Sequence, residues 1–127
     1  MTPFALIHDL RPWHRMIDRA LEHDPDGHTW LEVAERVKDG TFLAVEIPKA
    51  AVLIVERLDT PAGAALSVVL CAGFSYSRWL GQAIAFLKEL AKDQDCKWIK
   101  VAGREGWEKI LPRYGFRKRS SVLSMEL

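Results

Sequence analysis

The segment 23–28, His-Asp-Pro-Asp-Gly-His, concentrates side chains that could ligate a metal ion. It contains two histidines and two aspartates, and imidazole and carboxylate groups are common metal ligands. The same residues include Pro-Asp-Gly, which is a common turn sequence and ends the helical pattern before it. We favour the turn and expect no metal site.

Positive charge is concentrated near the end of the chain, although the formal net charge of the whole protein is only +1. Residues 97–127 contain eight Lys or Arg and three Glu, so the first 96 residues carry a net charge of −4. Such a basic segment could bind the phosphates of a cofactor or of DNA, or an acidic partner surface, although a solvated face is the simpler interpretation. The candidate partner-binding residues are Arg104, Trp107, Arg113, Arg117, Lys118 and Arg119.

Length and composition indicate one soluble globular domain over residues 1–127. A chain of this size can bury roughly two-thirds of its unfolded surface, and 49% hydrophobic and 28% charged residues are ordinary for such a domain. Cys71 and Cys96 make neither a disulfide framework nor a zinc pattern, so we expect both to be reduced and buried. No signal sequence opens the chain, and no apolar run approaches the roughly 20 residues that span a bilayer. We therefore expect a cytoplasmic protein with no membrane partner.

Hydrophobic periodicity predicts the element order β-α-α-β-β-β-α-β-α-β. Thr29-Trp30-Leu31-Glu32 has the sequence of a capping box, which begins the second helix. Residues 52–55 are continuously apolar, as expected of a strand that is covered on both faces. The strands predicted in the middle of the chain are 41–47, 50–58 and 64–72, and the longest helix is 77–94. A meander followed by a strand-helix-strand crossover favours a mixed sheet with helices on both faces.

Residues 98–127 are predicted to form a strand, a short helix and a further strand. The apolar side chains of the short helix recur at helical spacing: Trp107, Ile110, Leu111 and Tyr114. Pro112 removes a backbone donor, so we expect the helix to kink or tighten at Leu111, and Gly115 can close it in the left-handed conformation. Only twelve residues follow Gly115, which leaves room for one long strand or two short ones.

The stretch 103–116, G-R-E-G-W-E-K-I-L-P-R-Y-G-F, resembles the end of the GNAT superfamily of N-acetyltransferases. In that family a strand, a short helix and the signature Y-x-x-x-G-F precede the final strands. Gly115 and Phe116 match the signature, but Leu111 stands where the family has the tyrosine that usually acts as general acid. The stretch looks most like the small GNAT-like proteins encoded among bacteriophage structural genes. The resemblance implies an α/β fold, and the predicted element order agrees with it over nearly the whole chain.

The resemblance also implies a coenzyme A site at the turn before the longest helix. There the family motif [QR]-x-x-G-x-[GA] presents bare backbone amides to the pyrophosphate, which is the anion site of a helix N-terminus. Residues 78–83, R-W-L-G-Q-A, have these letters, but aligning the helix by its end moves the loop to residues 75–80, which contain no glycine. We then expect Tyr76 and Trp79 to crowd the phosphates. The residues that would bind the cofactor are Gly73, Phe74, Ser75, Tyr76, Ser77, Arg78 and Gly81.

Catalytic groups are sought, again by resemblance, on the central strands and the short helix. Glu56 is the candidate general base and Ser67 the main polar residue of the next strand, although a solvated edge and a core hydroxyl are simpler interpretations of the two. Tyr114 is the candidate displaced acid. It follows Leu111 by three residues, a rotation of about 300° around a helix, so it need not point where the family's tyrosine points.

Three functions follow from these observations. The first is a GNAT-like bacteriophage protein with lost or weakened catalysis and no cofactor, which binds other virion or assembly proteins and is found in the host cytoplasm or the virion. The second is an acetyl-CoA-dependent N-acetyltransferase of unknown acceptor. The third is a nucleic-acid-binding module, which we do not expect because the basic residues of 97–127 are spread over a strand, a helix and another strand.

Overall fold

A mixed β-sheet runs through the protein in a computed structural model that describes residues 5–22, 27–73, 76–102, 109–119 and 122–127. The strands within these ranges are β1 (Ala5–Ile7), β2 (Leu43–Ile47), β3 (Ala51–Thr60), β4 (Gly63–Gly73), β5 (Trp98–Ala102), β6 (Arg117–Arg119) and β7 (Val122–Glu126). The helices are α1 (His14–Leu21), α2 (Trp30–Lys38) and α3 (Tyr76–Asp93), and 3₁₀ turns lie at Arg11–Trp13 and Leu111–Tyr114. No helix in these ranges has the length and apolar character needed to cross a bilayer.

The seven described strands lie in the order β1-β2-β3-β4-β5-β7-β6. Strands β4 and β5 pair in parallel, with α3 as the crossover between them, and the other neighbouring strands pair antiparallel. The predicted mixed α/β sheet is therefore confirmed. The structure adds one strand to the predicted order, because the last residues form two short strands, β6 and β7, rather than one.

The helix boundaries follow the local sequence signals. Pro12 lies in the first turn of Arg11–Trp13, where its missing donor costs nothing. The predicted capping box is confirmed: the Glu32 amide donates to Thr29 Oγ1 at 3.2 Å, and the Thr29 amide donates to Glu32 Oε1 at 3.3 Å. The predicted tightening at Leu111 is also observed as the 3₁₀ turn Leu111–Tyr114, which ends at Gly115 with φ of +94°.

Two apolar cores lie on the two faces of the sheet. The first, which we call the α3 core, includes Leu53 and Val55 of β3 and the inward face of α3. The second, which we call the α1–α2 core, includes Val52 and Ile54 of β3 with residues of α1 and α2. Successive residues of β3 thus enter opposite cores, which explains why residues 52–55 are all apolar.

One extra residue interrupts the pairing of β4 with β3. Ile54 pairs with Leu70 and Val55 pairs with Val68, so Val69 has no partner across the strand pair. Before this β-bulge the even-numbered residues of β4, such as Val68, face the α3 core, whereas after it Leu70 faces the α1–α2 core. Because of the bulge, the even-numbered side chains of β4 face one core before Val69 and the other core after it.

A buried indole joins the start of α1 to the sheet. Trp13 Nε1 donates a hydrogen bond of 2.7 Å to Glu46 Oε2 of β2, and only 8% of Trp13 is exposed. At the far end of the sheet, Arg57 Nε of β3 donates to the carbonyl oxygen of Gln94 at 2.8 Å, just after the end of α3. These two bonds fix one end of each helical layer relative to the central strands.

Cys71 and Cys96 are not joined in a disulfide, in agreement with the prediction that both are reduced. Cys96 is buried, and that burial is the main cause that raises the pKa of its thiol. Cys71 is only half-buried, so the prediction of burial is right for Cys96 alone.

Of the possible metal segment 23–28, only Gly27 and His28 are described. Gly27 has φ of +67°, a left-handed conformation typical of a turn. In the described part of the chain, no group of three or more His, Cys, Asp or Glu is arranged to hold a metal ion.

Gly73 is required where β3 and β4 come together. A Cβ at this position would collide with the carbonyl oxygen of Ala50 and with Ala51, and Gly73 has a positive φ of +157°. Gly40 provides a useful contrast, because it also has a positive φ, +86°, but a Cβ there would meet nothing within 4 Å.

We expect Gly73→Ala to lower the free energy of unfolding by more than Gly40→Ala does. Gly40→Ala should cost about 1–2 kcal/mol, since only backbone strain opposes it. Gly73→Ala should cost a further 1–3 kcal/mol, roughly, because strand backbones must shift to relieve the collision. Urea unfolding of the two variants measures the difference, and equal losses would show that the approach of β3 to β4 at Gly73 is not tight.

Candidate active site

The described pairing between the parallel strands β4 and β5 covers only part of β4. Residues 65–68 of β4 pair with residues 98–101 of β5. Beyond Val68, β4 continues to Gly73 with no described pairing to β5, while Ala102 of β5 pairs with β7. The separation begins beside the bulge at Val69. We call the space between the carboxyl ends of the two strands the β4–β5 gap.

This gap has the position in which open α/β sheets bind ligands. Ligands in such sheets lie outside the carboxyl ends of parallel strands, at the point where the direction of strand addition changes. The β4–β5 pair is the parallel pair among the described strands, with antiparallel strands on either side. The backbone groups of β4 that face the gap are available to a ligand as far as the described strands are concerned, because none of these strands pairs with them.

The N-terminus of α3 lies next to the carboxyl end of β4. Gly73 ends β4 and Tyr76 begins α3. The first amides of a helix have no intrahelical partner, and the helix dipole adds partial positive charge at this end. The side chains of Ser77 and Arg78 are exposed in the first turn. The first turn of α3 is therefore suited to bind an anion.

Trp79 does not crowd this end of the helix, contrary to the prediction from sequence. Its side chain is only 5% exposed and packs in the α3 core together with Leu80. The prediction was wrong because it placed residues 75–80 in a loop, whereas Trp79 lies on the inward face of a helix that has already begun. The backbone of Tyr76 is part of α3, and the predicted cofactor residues Phe74 and Ser75 lie outside the described residues.

The R-x-x-G-x-A letters lie within α3 and not in a loop. Arg78 is the third residue of α3, Gly81 is the sixth, and Ala83 is buried in the α3 core. A Cβ at position 81 would lie 3.5 Å from Cε1 of Tyr114 and 4.0 Å from its hydroxyl oxygen. Gly81 therefore lets the Tyr114 ring lie directly on the helix. Both Gly73 and Gly81 have packing functions, and Gly81, which lies inside α3, is not part of a phosphate loop.

The two candidate positions for the catalytic acid differ in their surroundings. Leu111, at the position of the family's tyrosine, is 3% exposed in the α3 core. Tyr114 is half-buried on the surface of α3 at Gly81, which is five residues from the helix start. At 1.5 Å per residue its ring is about 7.5 Å along the axis from the first turn. Tyr114 is thus on the same side of the sheet as the anion-binding end of α3.

Glu56 is on the opposite side of the sheet from Tyr114. Val55 faces the α3 core, so its neighbour Glu56 points to the other face, where it pairs across the strands with Ser67. Both side chains are half-buried. Ser67 in turn pairs with Lys100 of β5, one residue before the strands separate. The structure therefore brings Glu56 to within one strand of the gap.

Lys100 is a site residue that sequence analysis did not identify. It is half-buried beside Ser67, and its Nζ lies 5.9 Å from the centre of the Trp98 ring. No local pattern could reveal this position, because a crossover of 24 residues separates β4 from β5 and the register between the two strands is set by tertiary packing.

The predicted partner-binding residues are only partly described. Arg113 and Arg117 are exposed, while Arg104 and Trp107 lie outside the described residues. Lys118 and Arg119 belong to β6, but their side chains are not described. β6 is at the end of the sheet, where basic residues also discourage pairing with other chains. Partner binding by this set of residues stays a prediction.

No protein-family model matches the sequence, and no curated protein matches it. Solved structures nevertheless match the fold over almost the whole chain. An acetyltransferase from Trypanosoma brucei is 16% identical with a TM-score of 0.63, and the match covers 92% of this chain and 93% of that one. An acetyltransferase from Bacillus subtilis in complex with CoA is 14% identical with a TM-score of 0.64, covering 98% and 97% of the two chains.

The GNAT domain of PAT from S. lividans matches to a similar degree. It is 14% identical with a TM-score of 0.64, and the match covers 98% of this chain and 89% of that one. Identities this low carry information about architecture alone. That architecture agrees with the mixed sheet, the parallel β4–β5 pair and the position of α3. The chain therefore has the fold of the GNAT acetyltransferases.

Proposed function

We propose that the protein is an acetyl-CoA-dependent N-acetyltransferase. The observation that carries this proposal is the gap between the carboxyl ends of β4 and β5, which opens beside the exposed first turn of α3. The gap can admit a slender chain, and the helix end can bind the phosphates at one end of that chain. The acetyltransferases of the same fold, one of them in complex with CoA, support the choice of this cofactor.

The chain has residues that fit coenzyme A at both places. The amides at the start of α3, with the Ser77 hydroxyl and the Arg78 guanidinium, would bind the pyrophosphate. The backbone of β4 beyond Val68 offers donors and acceptors to the amide groups of the pantetheine arm. Burial of Trp79 removes one of the two side chains that were expected to crowd the phosphates, the other being Tyr76. When bound, acetyl-CoA supplies an activated acetyl thioester.

Glu56 and Tyr114 provide the two proton-transfer groups. Glu56 takes a proton from the acceptor amine, directly or through one water, so that the nitrogen can act as nucleophile. Tyr114 lies on the side of α3, and its hydroxyl can donate a proton to the leaving group. Because the two side chains lie on opposite faces of the sheet, the acceptor approaches from one face and the cofactor lies toward the other.

The alternative function is a GNAT-like virion or assembly component that has lost catalysis. One observation favours it: Leu111 is buried in the α3 core, so no hydroxyl can act from that position. Its second support, a phosphate site blocked by Trp79, is removed by the burial of that side chain. Partners of this kind would meet the exposed Arg113 and Arg117. We place the enzyme first because the crowding of the phosphates by Trp79, which was one reason to expect lost catalysis, no longer applies.

Acetyl-CoA should raise the melting temperature of the protein. A ligand at a hundredfold excess over its Kd stabilises the folded state by about 2.7 kcal/mol, which corresponds to on the order of 10 °C for a domain of this size. Arg78→Ala should reduce the shift, whereas Arg19→Ala, an exposed arginine of α1, should leave it unchanged. Pantetheine, which has no phosphates, should produce little shift. Identical shifts in both variants would contradict the α3 anion site.

Glu56→Gln and Tyr114→Phe should slow acetyl transfer without weakening acetyl-CoA binding. Loss of a positioned general acid or base reduces rates by roughly 10²–10⁴-fold. Transfer to a panel of primary amines is followed by release of free CoA, and the melting shift with acetyl-CoA serves as the binding measurement. Glu126→Gln, an exposed carboxylate of β7, is the matched control. Unchanged rates in both variants would assign the proton transfers to other groups.

A further inference from the structure

A row of five polar side chains crosses the sheet at the level of the β4–β5 gap. Each residue of the row pairs directly with the next residue of the row, which lies on the neighbouring strand. The row consists of Glu56 (β3), Ser67 (β4), Lys100 (β5), Ser124 (β7) and Arg117 (β6). Directly paired residues project to the same face of a sheet, so these five side chains are neighbours on one surface.

This polar row faces away from α3. The residue next to each of four members in the chain belongs to the α3 core: Val55, Leu66, Ile99 and Leu123. Among the described strands, β2, β3 and β4 contribute residues to the α1–α2 core and Ile7 of β1 packs against it, but no residue of β5, β6 or β7 belongs to it. The half of the row that begins at Lys100 is therefore beyond the apolar cover of α1 and α2. Lys100 and Ser124 are half-buried, and Arg117 is exposed.

The charges along the row are ordered from negative to positive. Glu56 carries the carboxylate, and Lys100 and Arg117 carry the cations. Neighbouring strands are about 4.8 Å apart, so the Cα atoms of Glu56 and Lys100 are separated by roughly 10 Å, and long side chains can approach each other more closely than that. Within the described residues, no salt bridge involves Glu56, Lys100 or Arg117.

The middle of the row borders the place where the acetyl group would be transferred. Ser67 and Lys100 pair one position before Val68 and Val101, after which the two strands separate. Glu56 and Lys100 thus lie on the two sides of Ser67, and the gap begins after the next residue pair, Val68 and Val101. A molecule on this face can place one end at Glu56 and the other at Lys100 while it reaches the gap.

We propose that the acceptor is a small primary amine that also carries an acidic group, either a carboxylate or a phosphate. The proposal rests on the acetyltransferase function above. The amine lies against Glu56, and the acidic group binds Lys100 and, in longer acceptors, Arg117. The ammonium loses one proton to Glu56, its nitrogen attacks the acetyl carbon to form the amide bond, and the carbon–sulfur bond of the thioester breaks. The nitrogen releases its second proton to water, and the leaving sulfur takes the hydroxyl proton of Tyr114, which water then restores.

Matched pairs of amines test the proposal and distinguish the two kinds of acid. 4-Aminobutyrate is compared with butylamine for a carboxylate, and phosphoethanolamine with ethanolamine for a phosphate. At least one acidic amine should have a kcat/KM about tenfold or more above that of its plain partner, the effect of one charge-assisted hydrogen bond. Lys100→Met, which keeps the aliphatic stem, should reduce this preference to within about twofold. Lys97→Met, an exposed lysine outside the row, is the control.

Binding is measured separately, so that the acceptor proposal and the transferase proposal can fail independently. The affinity of the preferred acidic amine is determined by calorimetry with CoA present, for the unaltered protein and for both lysine variants. An affinity that falls about tenfold in Lys100→Met but not in Lys97→Met supports the acceptor site, whether or not an acetyl group is transferred. If no acetyl group is transferred, the transferase function fails while the acceptor site stands. Transfer or binding with no preference for acidic amines, or with a preference that Lys100→Met does not change, overturns the acceptor site.

Discussion

The candidate site depends on one extra residue in β4. Val69 has no cross-strand partner on β3. At this point the side chains of β4 switch from one core to the other, and the described pairing of β4 with β5 ends. A regular β4 would continue its ladder with β5, and its backbone groups would be used by the sheet. The bulge therefore removes a few main-chain hydrogen bonds and leaves an edge in the middle of the sheet, where a ligand can take the place of a strand. Gly73 keeps the end of β4 in close contact with β3 before α3 begins.

Because an apolar core lies on each side of the sheet, the candidate site has two faces with different roles. On one face, α3 packs on the sheet through Trp79 and Leu80 and leaves its first turn exposed to an anion. Tyr114 lies on the same helix because Gly81 has no side chain to displace it. On the other face, α1 and α2 cover only part of the sheet, and the polar row that starts at Glu56 extends beyond their apolar cover from Lys100 to Arg117. The β4–β5 gap is the place where the two faces meet.

The elements were predictable from sequence because each is defined by local signals. Residues 52–55 required cover on both faces, the Thr29–Glu32 capping box fixed the start of α2, and Pro112 with Gly115 gave the tight terminal turn. The long-range features were not predictable. The bulge at Val69 and the alignment of Ser67 with Lys100 depend on how strands that are distant in sequence pair, and no local periodicity specifies that register. Trp79 was misplaced because the alignment to the family motif put residues 75–80 in a loop, whereas α3 begins at Tyr76.

The central claim is that coenzyme A occupies the gap between β4 and β5, with its phosphates at the start of α3. Amide hydrogen exchange with and without acetyl-CoA, resolved by residue, tests this claim most directly. Bound acetyl-CoA should slow exchange for the amides of residues 69–73 and of the first turn of α3, because the ligand would cover backbone groups that no described strand or earlier helical turn uses. The amides of α1 and α2 should exchange as before. Slower exchange confined to α1 and α2, or no change at any residue under saturating acetyl-CoA, would contradict it.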